Sequence, residues 1–166
     1  MKGINKKYTK SSSPRYGNKV RYLVIHWVGA VSTAKNNADY FARVNPLASA
    51  HYFVDAKEMW ASVPTERAAW SVGGGMMSPR GGKFFGKCTN LNSVSVELCC
   101  IRKNGKVIVD PAAIKKATPL VRALMKRLKI PAGRVIRHFD VNGKMCPGGY
   151  IDNASWRKLH KQLTGC

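Results

Sequence analysis

The sequence predicts an α/β fold, a central mixed β-sheet flanked by helices, on three observations. Short β-branched runs alternate with segments of helical periodicity, the pattern of strands and helices interleaved in one chain. Val20 to Trp27 (VRYLVIHW) is almost continuously apolar, as expected of a strand covered on both faces. The chain has 166 residues, 45% of them hydrophobic, which suits one domain with its own core.

Taken in order, Met1 to Lys19 is polar and basic, with Ser and Gly throughout. It reads as a lead-in (residues 1–19) rather than a second domain, so residues 1–166 are expected to form one unit. The first strand ends at His26-Trp27, followed by Gly29. Ser32 or Thr33 can cap a helix carrying Ala34, Asn37, Ala38, Phe41 and Val44 on one face, and Asn45-Pro46 would stop it. His51 to Val54 reads as a strand, Asp55-Ala56-Lys57 as a turn, and Glu58 to Val63 as the hairpin partner.

Gly73 to Asn92 is a long Gly-rich loop with Met76, Met77, Phe84 and Phe85 among basic residues. Loops of that length inside a compact domain tend to be functional or mobile. Ser93 to Cys100 (SVSVELCC) alternates as a strand, with Glu97 in its middle. Asp110-Pro111 opens a helix, with a capping carboxylate before a proline at the first helical position. Ile114, Ala117, Val121, Leu124 and Leu128 then keep helical periodicity, while Pro119 predicts a kink or a second start capped by Thr118. Lys115, Lys116, Arg122, Lys126 and Arg127 lie on the opposite, solvated face. Val135 to His138 is a short strand, Asp140 to Gly143 a polar turn, and Asn153 the cap of a last helix burying Trp156, Leu159 and Leu163. No internal repeat is present.

The formal net charge is +21, from 29 Lys and Arg against 8 Asp and Glu. A protein this basic is drawn to polyanions over a long, salt-sensitive range. Nucleic acid, anionic membrane and the phosphate-bearing polymers of a bacterial wall all qualify, and charge does not choose among them. Met1 to Val20 has no apolar stretch of a secretory signal, and no run is long enough to span a bilayer. Five cysteines, an odd number without regular spacing, argue against a disulfide framework and for synthesis in a reducing cytosol. Adjacent Cys99 and Cys100 read as packed thiols.

His26 and His138 share a context, since each ends a β-branched run and stands before a turn. If their strands are neighbours, both imidazoles lie at one edge of the sheet, and Cys146 returns from the turn after His138. Two histidines and a thiolate can fill three corners of a zinc tetrahedron and leave the fourth open, the arrangement of catalytic sites. Alternatively, Cys146 with His138 is a nucleophile pair. Glu97 interrupts an apolar strand, and an unpaired buried carboxylate is costly. It either faces outward or points into a cleft that needs a base. Lys144 gains interest only from standing two residues before Cys146.

Several stretches together carry a resemblance. YLVIHWVG, SAHYFVD with MWASVPTERAAWSVG, NSVSVELC and VIRHFDVNGKMCPG occur in order and span Tyr22 to about Leu163. On these the chain resembles the zinc-dependent N-acetylmuramoyl-L-alanine amidases of the type 2 amidase and peptidoglycan-recognition-protein superfamily, in particular phage and prophage endolysin catalytic domains. The resemblance implies that fold, and one zinc ion per chain held by His26, His138 and Cys146. It implies Glu97 as general acid and base, and Lys144 as the group that stabilises the oxyanion. Trp27 and Trp70 fall on the substrate side, and His51, in the family's Ser-x-His motif beside the cleft, is either a substrate-side group or one that supports the site from behind.

Two departures concern substrate contacts: Trp27 stands where many members have a polar residue, and Ser71 stands where many have histidine. The implied activity is hydrolysis of the amide between N-acetylmuramic acid and L-alanine, and hence wall lysis. The partners expected are peptidoglycan and anionic wall polymers, with no specific nucleic acid and a monomeric state. The protein would be made in the cytoplasm without a signal peptide and act at the wall after release. A non-catalytic wall-recognition module of the same fold is the alternative, disfavoured by Cys146, which members without catalysis tend to lack.

Overall fold

The computed structural model describes residues 3–166. Thirteen named elements follow in chain order: β1 (Ile4–Lys6), β2 (Ser12–Pro14), β3 (Tyr22–Val31), α1 (Ala34–Val44), β4 (Tyr52–Val54), β5 (Met59–Ala61), β6 (Arg67–Ala69), β7 (Ser93–Lys103), β8 (Lys106–Val109), α2 (Pro111–Leu128), β9 (Val135–Arg137), α3 (His138–Asn142) and α4 (Asn153–Thr164). Strand order in the main sheet is β1-β5-β4-β7-β3-β9, with β8 paired to the far end of β7, and β2 and β6 form a small second sheet. The sheet is mixed: β3 is parallel to both β7 and β9, and β4 is parallel to β7 but antiparallel to β5.

Both faces are covered, by different material. Leu23, Ile25, Val94, Val96 and Leu98 point to one face, where Ala117, Leu120, Val121 and Leu124 of α2 and Leu159 and Leu163 of α4 bury them. The alternate residues Tyr22 and Val24 point to the other, against Val72, Cys88, Ile136 and Val141. On that second face, α1 packs Ala34 and Ala38 against Phe53 and Cys99. Burial of apolar surface at roughly 25 cal/mol per Å² makes these two layers the main stabilising term. Period-two alternation assigns the residues of β3 and β7 to the two layers. That assignment positions the site, because the polar members of β7 (Ser93, Ser95, Glu97) fall on the second face.

Several local expectations change. The part of the lead-in that is described is woven into the sheets, with Ile4 opposite Met59 and Ser12 opposite Ala69; Met1 and Lys2 lie outside the described residues. The β7–β8 hairpin turns at Asn104-Gly105, where both residues take left-handed backbone angles. Through Pro119, α2 runs without a second start. The carbonyl that Pro119 leaves without a partner belongs to Lys115, and both residues are exposed, so solvent can hydrate it. Thr118 is not a cap, since its hydroxyl donates back to the Ile114 carbonyl at 3.0 Å. The cap of α4 is Asp152 rather than Asn153, accepting from the amides of Ala154 and Ser155 at 3.0 and 2.8 Å. The turn expected at Asp140 to Gly143 is α3, closed by Gly143 at φ 81°.

Cys88, Cys99, Cys100 and Cys146 are buried free thiols and Cys166 is exposed. Among the described residues no helix is long and apolar enough to cross a membrane.

Candidate active site

Strand register brings the first three groups together. His26 lies opposite Glu97 across the parallel β3–β7 pair, and Ile25 lies opposite Arg137 across β3–β9, so His138 follows beside His26. Alternation puts Val24 and His26 on the second face, away from α2 and α4. Cys146 arrives on the chain that leaves α3, where the Phe139 amide donates to the Cys146 carbonyl at 2.8 Å and closes the segment between the two side chains.

The resulting cluster is tight and almost dry. His26, His138 and Cys146 are 2%, 4% and 4% exposed, and their donor atoms all lie within 4.8 Å of one another. His26 Nδ1 is 3.7 Å from Cys146 Sγ and 3.7 Å from Glu97 Oε1. The two imidazole rings meet edge to face at 4.6 Å. His26 Nε2, both ring nitrogens of His138 and Glu97 Oε2 are buried without a hydrogen-bond partner in the protein. Buried polar atoms are nearly always partnered, so so many orphans in one place call for a ligand. Donors around a tetrahedral zinc, at bond lengths of about 2.0–2.3 Å, stand roughly 3.3–3.8 Å apart. The donor set, its spacing and its orphaned atoms fit that ion.

Electrostatics sorts the metal reading from the nucleophile reading. Burial, reinforced by Glu97, pushes the Cys146 thiol up from its ordinary value. In the protein alone it stays a thiol, which does not suit a nucleophile, whereas a bound cation would deprotonate it. Burial, with His138 and Lys144 nearby, holds His26 well below its ordinary value. Burial and then Lys144 take His138 down to about 4. Both imidazoles are therefore neutral at pH 7, the form that binds metal. Burial raises Glu97 to about 8 against the opposing pull of Lys144.

The cluster forms the floor of a cleft of about 360 Å³ lined by Trp27, Trp70, Glu97 and Lys144 and opening between α1 and the loop that follows β6. A neighbouring hollow of about 460 Å³ shares Trp70, Ser71, His138 and Lys144 with the cleft. Lys144 is exposed at the rim, with its amide donating to Asn142 Oδ1 at 3.1 Å. Trp27 is seated against Gly148, where any Cβ would come within 2.4 Å of the indole. Trp70 is fixed through Ser49, whose hydroxyl accepts from the Trp70 amide at 2.8 Å.

His51 is not in this cleft. It is fully buried, with Nδ1 accepting from the Ser95 amide at 3.0 Å and Nε2 3.1 Å from the Arg67 carbonyl. Burial and the neighbouring Arg15 guanidinium lower it to about 3. Of its two expected places, the substrate side is therefore corrected and the support behind the site remains: it is a neutral strut tying β4 to β7 beneath the site. The sequence reading also passed over Asn37, Tyr40 and Ser49, which line the cleft. Asn37 was assigned to a core face by its spacing, and no local motif marks the other two.

The loop after Gly73 is held rather than loose. Met77 N donates to Asn142 O at 2.7 Å, Gly82 N to Phe139 O at 3.0 Å, and Phe84 N to Asp140 O at 2.8 Å, all on α3. Gly143 makes this approach possible, because a Cβ there would lie 2.1 Å from the Ser78 carbonyl oxygen.

A family model described as N-acetylmuramoyl-L-alanine amidase matches residues 16–149, which contain every group of the cluster. The chain belongs to that family. It is 30% identical over 156 residues to the N-acetylmuramoyl-L-alanine amidase CwlL of Bacillus licheniformis, covering 88% of this chain and 42% of the relative. It is 30% identical over 138 residues to CwlA of Bacillus subtilis (strain 168), covering 83% of this chain and 47% of the relative. The chain thus spans less than half the length of these two amidases. Among solved structures, the PlyG catalytic domain superposes with a TM-score of 0.77 at 28% identity, covering 96% of this chain and 92% of that one. PlyL gives 0.76 at 27% identity, with 97% and 96% covered. The mixed sheet with flanking helices is shared with these two structures.

Proposed function

We propose that this chain hydrolyses the amide bond between N-acetylmuramic acid and L-alanine in peptidoglycan, and so lyses bacterial walls. The observation that carries the proposal is the buried trio of His26, His138 and Cys146 with Glu97 beside it, in a chain of the amidase family. His26, His138 and Cys146 would hold one zinc ion. Bound there, zinc supplies Lewis acidity and lowers the pKa of water from 15.7 toward about 7.

The protein's own groups do the rest. Glu97, with Oε1 3.7 Å from His26 Nδ1, stands where a carboxylate can accept a proton from the attacking water and pass one to the departing alanine amine. Lys144, at the rim of the same cleft, offers an ammonium to the oxygen of the scissile carbonyl as negative charge develops on it. Trp27 and Trp70 present apolar walls against which sugar and peptide can pack. The protein would act as a monomer at the wall, with peptidoglycan and anionic wall polymers as its partners.

The test is release of new amino termini from purified peptidoglycan, measured before chelation, after it, and after zinc is restored. The proposal expects loss on chelation and recovery with zinc. Activity that survives chelation would indicate a cysteine hydrolase, and wall binding without any release would indicate a recognition module.

A further inference from the structure

A concavity larger than the cleft lies on the other side of α3. A groove of about 930 Å³ lies behind α3, between the loop at Arg80–Phe84 and the first turns of α4. One wall carries Arg80, Lys83 and Phe84, the other Trp156 and Arg157. Val135 and Ile136 of the edge strand β9 line it as well.

Its charge is unbalanced because its acids are already engaged. Asp140 is held by the buried Arg137, at 2.6 Å from Nη2 and 3.0 Å from Nε, and it also accepts from the Arg137 amide at 2.8 Å. Asp152 is spent on the amides of Ala154 and Ser155 at the start of α4. Arg80, Lys83 and Arg157 are exposed, and among the described residues none of them is in an ion pair. Cations along a concave, partly apolar wall focus the field more than the same charges on a convex surface. Lys83 stands 5.9 Å above the Phe84 ring, and Trp156 is half-buried under the Arg137 guanidinium at 5.4 Å. Phe84 and Trp156 are both partly exposed in the groove and add apolar surface beside the cations.

We propose that this groove binds a linear phosphodiester polymer of polyol or sugar units, of the sort that accompanies peptidoglycan in bacterial walls. Cations on both walls suit successive phosphates of one chain, and the aromatic rings between them suit the carbon units that link phosphates. The groove is too open to enclose a single inorganic phosphate. It presents no helix to a nucleic-acid groove and no ordered row of aromatics for unstacked bases. The choice of a wall polymer rests on the proposed wall substrate, while the groove itself does not. The groove shares α3 with the cleft: His138 and Asn142 are on the cleft side, and Phe139 and Asp140 on the groove side. A chain lying here would hold the enzyme to the wall directly behind its reaction centre without entering it.

The test uses the whole chain with Arg80→Ser, Lys83→Ser and Arg157→Ser combined, against a control that removes equal charge elsewhere (Lys103→Ser, Lys106→Ser, Lys115→Ser). Binding to immobilised poly(glycerol phosphate) is measured across a salt series, with a single-stranded oligonucleotide of equal charge as the second probe. Thermal unfolding of each variant verifies its fold. The proposal expects the groove variant to lose about 100-fold in affinity for the polymer and the control less than about threefold, since each basic residue in contact with an anionic surface contributes about fivefold and three are removed. Cleavage of a small soluble muramyl peptide should be unchanged in the groove variant. Equal losses in the two variants would overturn the site. Tighter binding of the oligonucleotide, lost equally in the groove variant, would overturn the ligand. Polymer binding that depends on the groove in a protein with no amidase activity would defeat the proposed function and leave this one standing.

Discussion

The two sides of α3 are built on opposite rules. On the cleft side, buried nitrogen and oxygen atoms of His26, His138 and Glu97 lack partners. On the groove side, Arg137 is as buried as the histidines, yet its guanidinium reaches Asp140, the Tyr150 and Ile151 carbonyls at 3.1 and 2.6 Å, and Asn153 Oδ1 at 3.2 Å. One side leaves its donors unsatisfied for a ligand to complete. The other is finished, and it holds the first in place. Burial alone therefore does not mark a functional residue; several unpartnered donors gathered in one place do.

The largest change expected comes from Glu97→Ala. On the proposed mechanism it should lower amide hydrolysis by about 100- to 10,000-fold while zinc content, read by metal analysis, stays at one per chain. Near-full activity in that variant would end the acid–base role. Arg137→Met attacks the finished side. Removing one partner of a buried ion pair costs about 3–5 kcal/mol, so the melting temperature should fall steeply and zinc affinity should fall with it. A variant with normal stability would mean that Arg137 is not what holds the ligand segment.

Gly143→Ala tests the junction of the two sides. The φ of 81° and the 2.1 Å approach to Ser78 predict roughly 2–3 kcal/mol of destabilisation, visible as a lower denaturation midpoint. Loop and helix should separate, so proteolysis between Met76 and Lys87 should appear.

The smallest effect is the pH response of the metal-free protein. His138 and His51, lowered to about 4 and about 3, contribute stability that is complete above their ordinary value of 6.5. That stability is lost as pH falls through the folded values. Glu97, raised to about 8, has the opposite sign: its contribution is complete below 4.5 and is lost as pH rises through 8. Metal-free protein should thus melt at lower temperature at pH 4 than at pH 6.5. Glu97→Gln should abolish the decline above pH 6.5 and steepen the rise between pH 4.5 and 6.5, because the Glu97 contribution falls across that whole range. A wild-type curve that is level from pH 4 to 8 would contradict both assignments.

The main elements were legible because their signals were local. The apolar run of β3, the alternation of β7 and the Asp-Pro start of α2 each state their own structure. The convergence of His26, His138 and Cys146 was legible as well, because several separated motifs agreed. What did not read was long-range. Ile4–Lys6 becomes a strand only through the backbone of β5, and nothing in its own composition announces that. Pro119 misled because the cost of a helical proline depends on whether its orphaned carbonyl reaches water, a tertiary fact. His51 was legible only as a choice of two: its motif fits a cleft residue or a support behind the cleft, and the Ser95 and Arg67 backbones, which claim both ring nitrogens, decide for the second. Asn142, which carries Met77 and Lys144 on its backbone and side-chain oxygens, gave no sign at all.

The backbone ties from Met77, Gly82 and Phe84 to α3 also define a unit of motion. Segments joined by several main-chain bonds tend to open together rather than one at a time. The amides of Met77, Gly82 and Phe84 should therefore exchange with deuterium at one common rate, shared with Phe139 and Gly143. Loading the trio with metal should slow that rate across the whole unit, including loop positions that touch no ligand. The Gly-rich stretch is in this sense a part of the helix it crosses, and its protection is a readout of the centre from the outside.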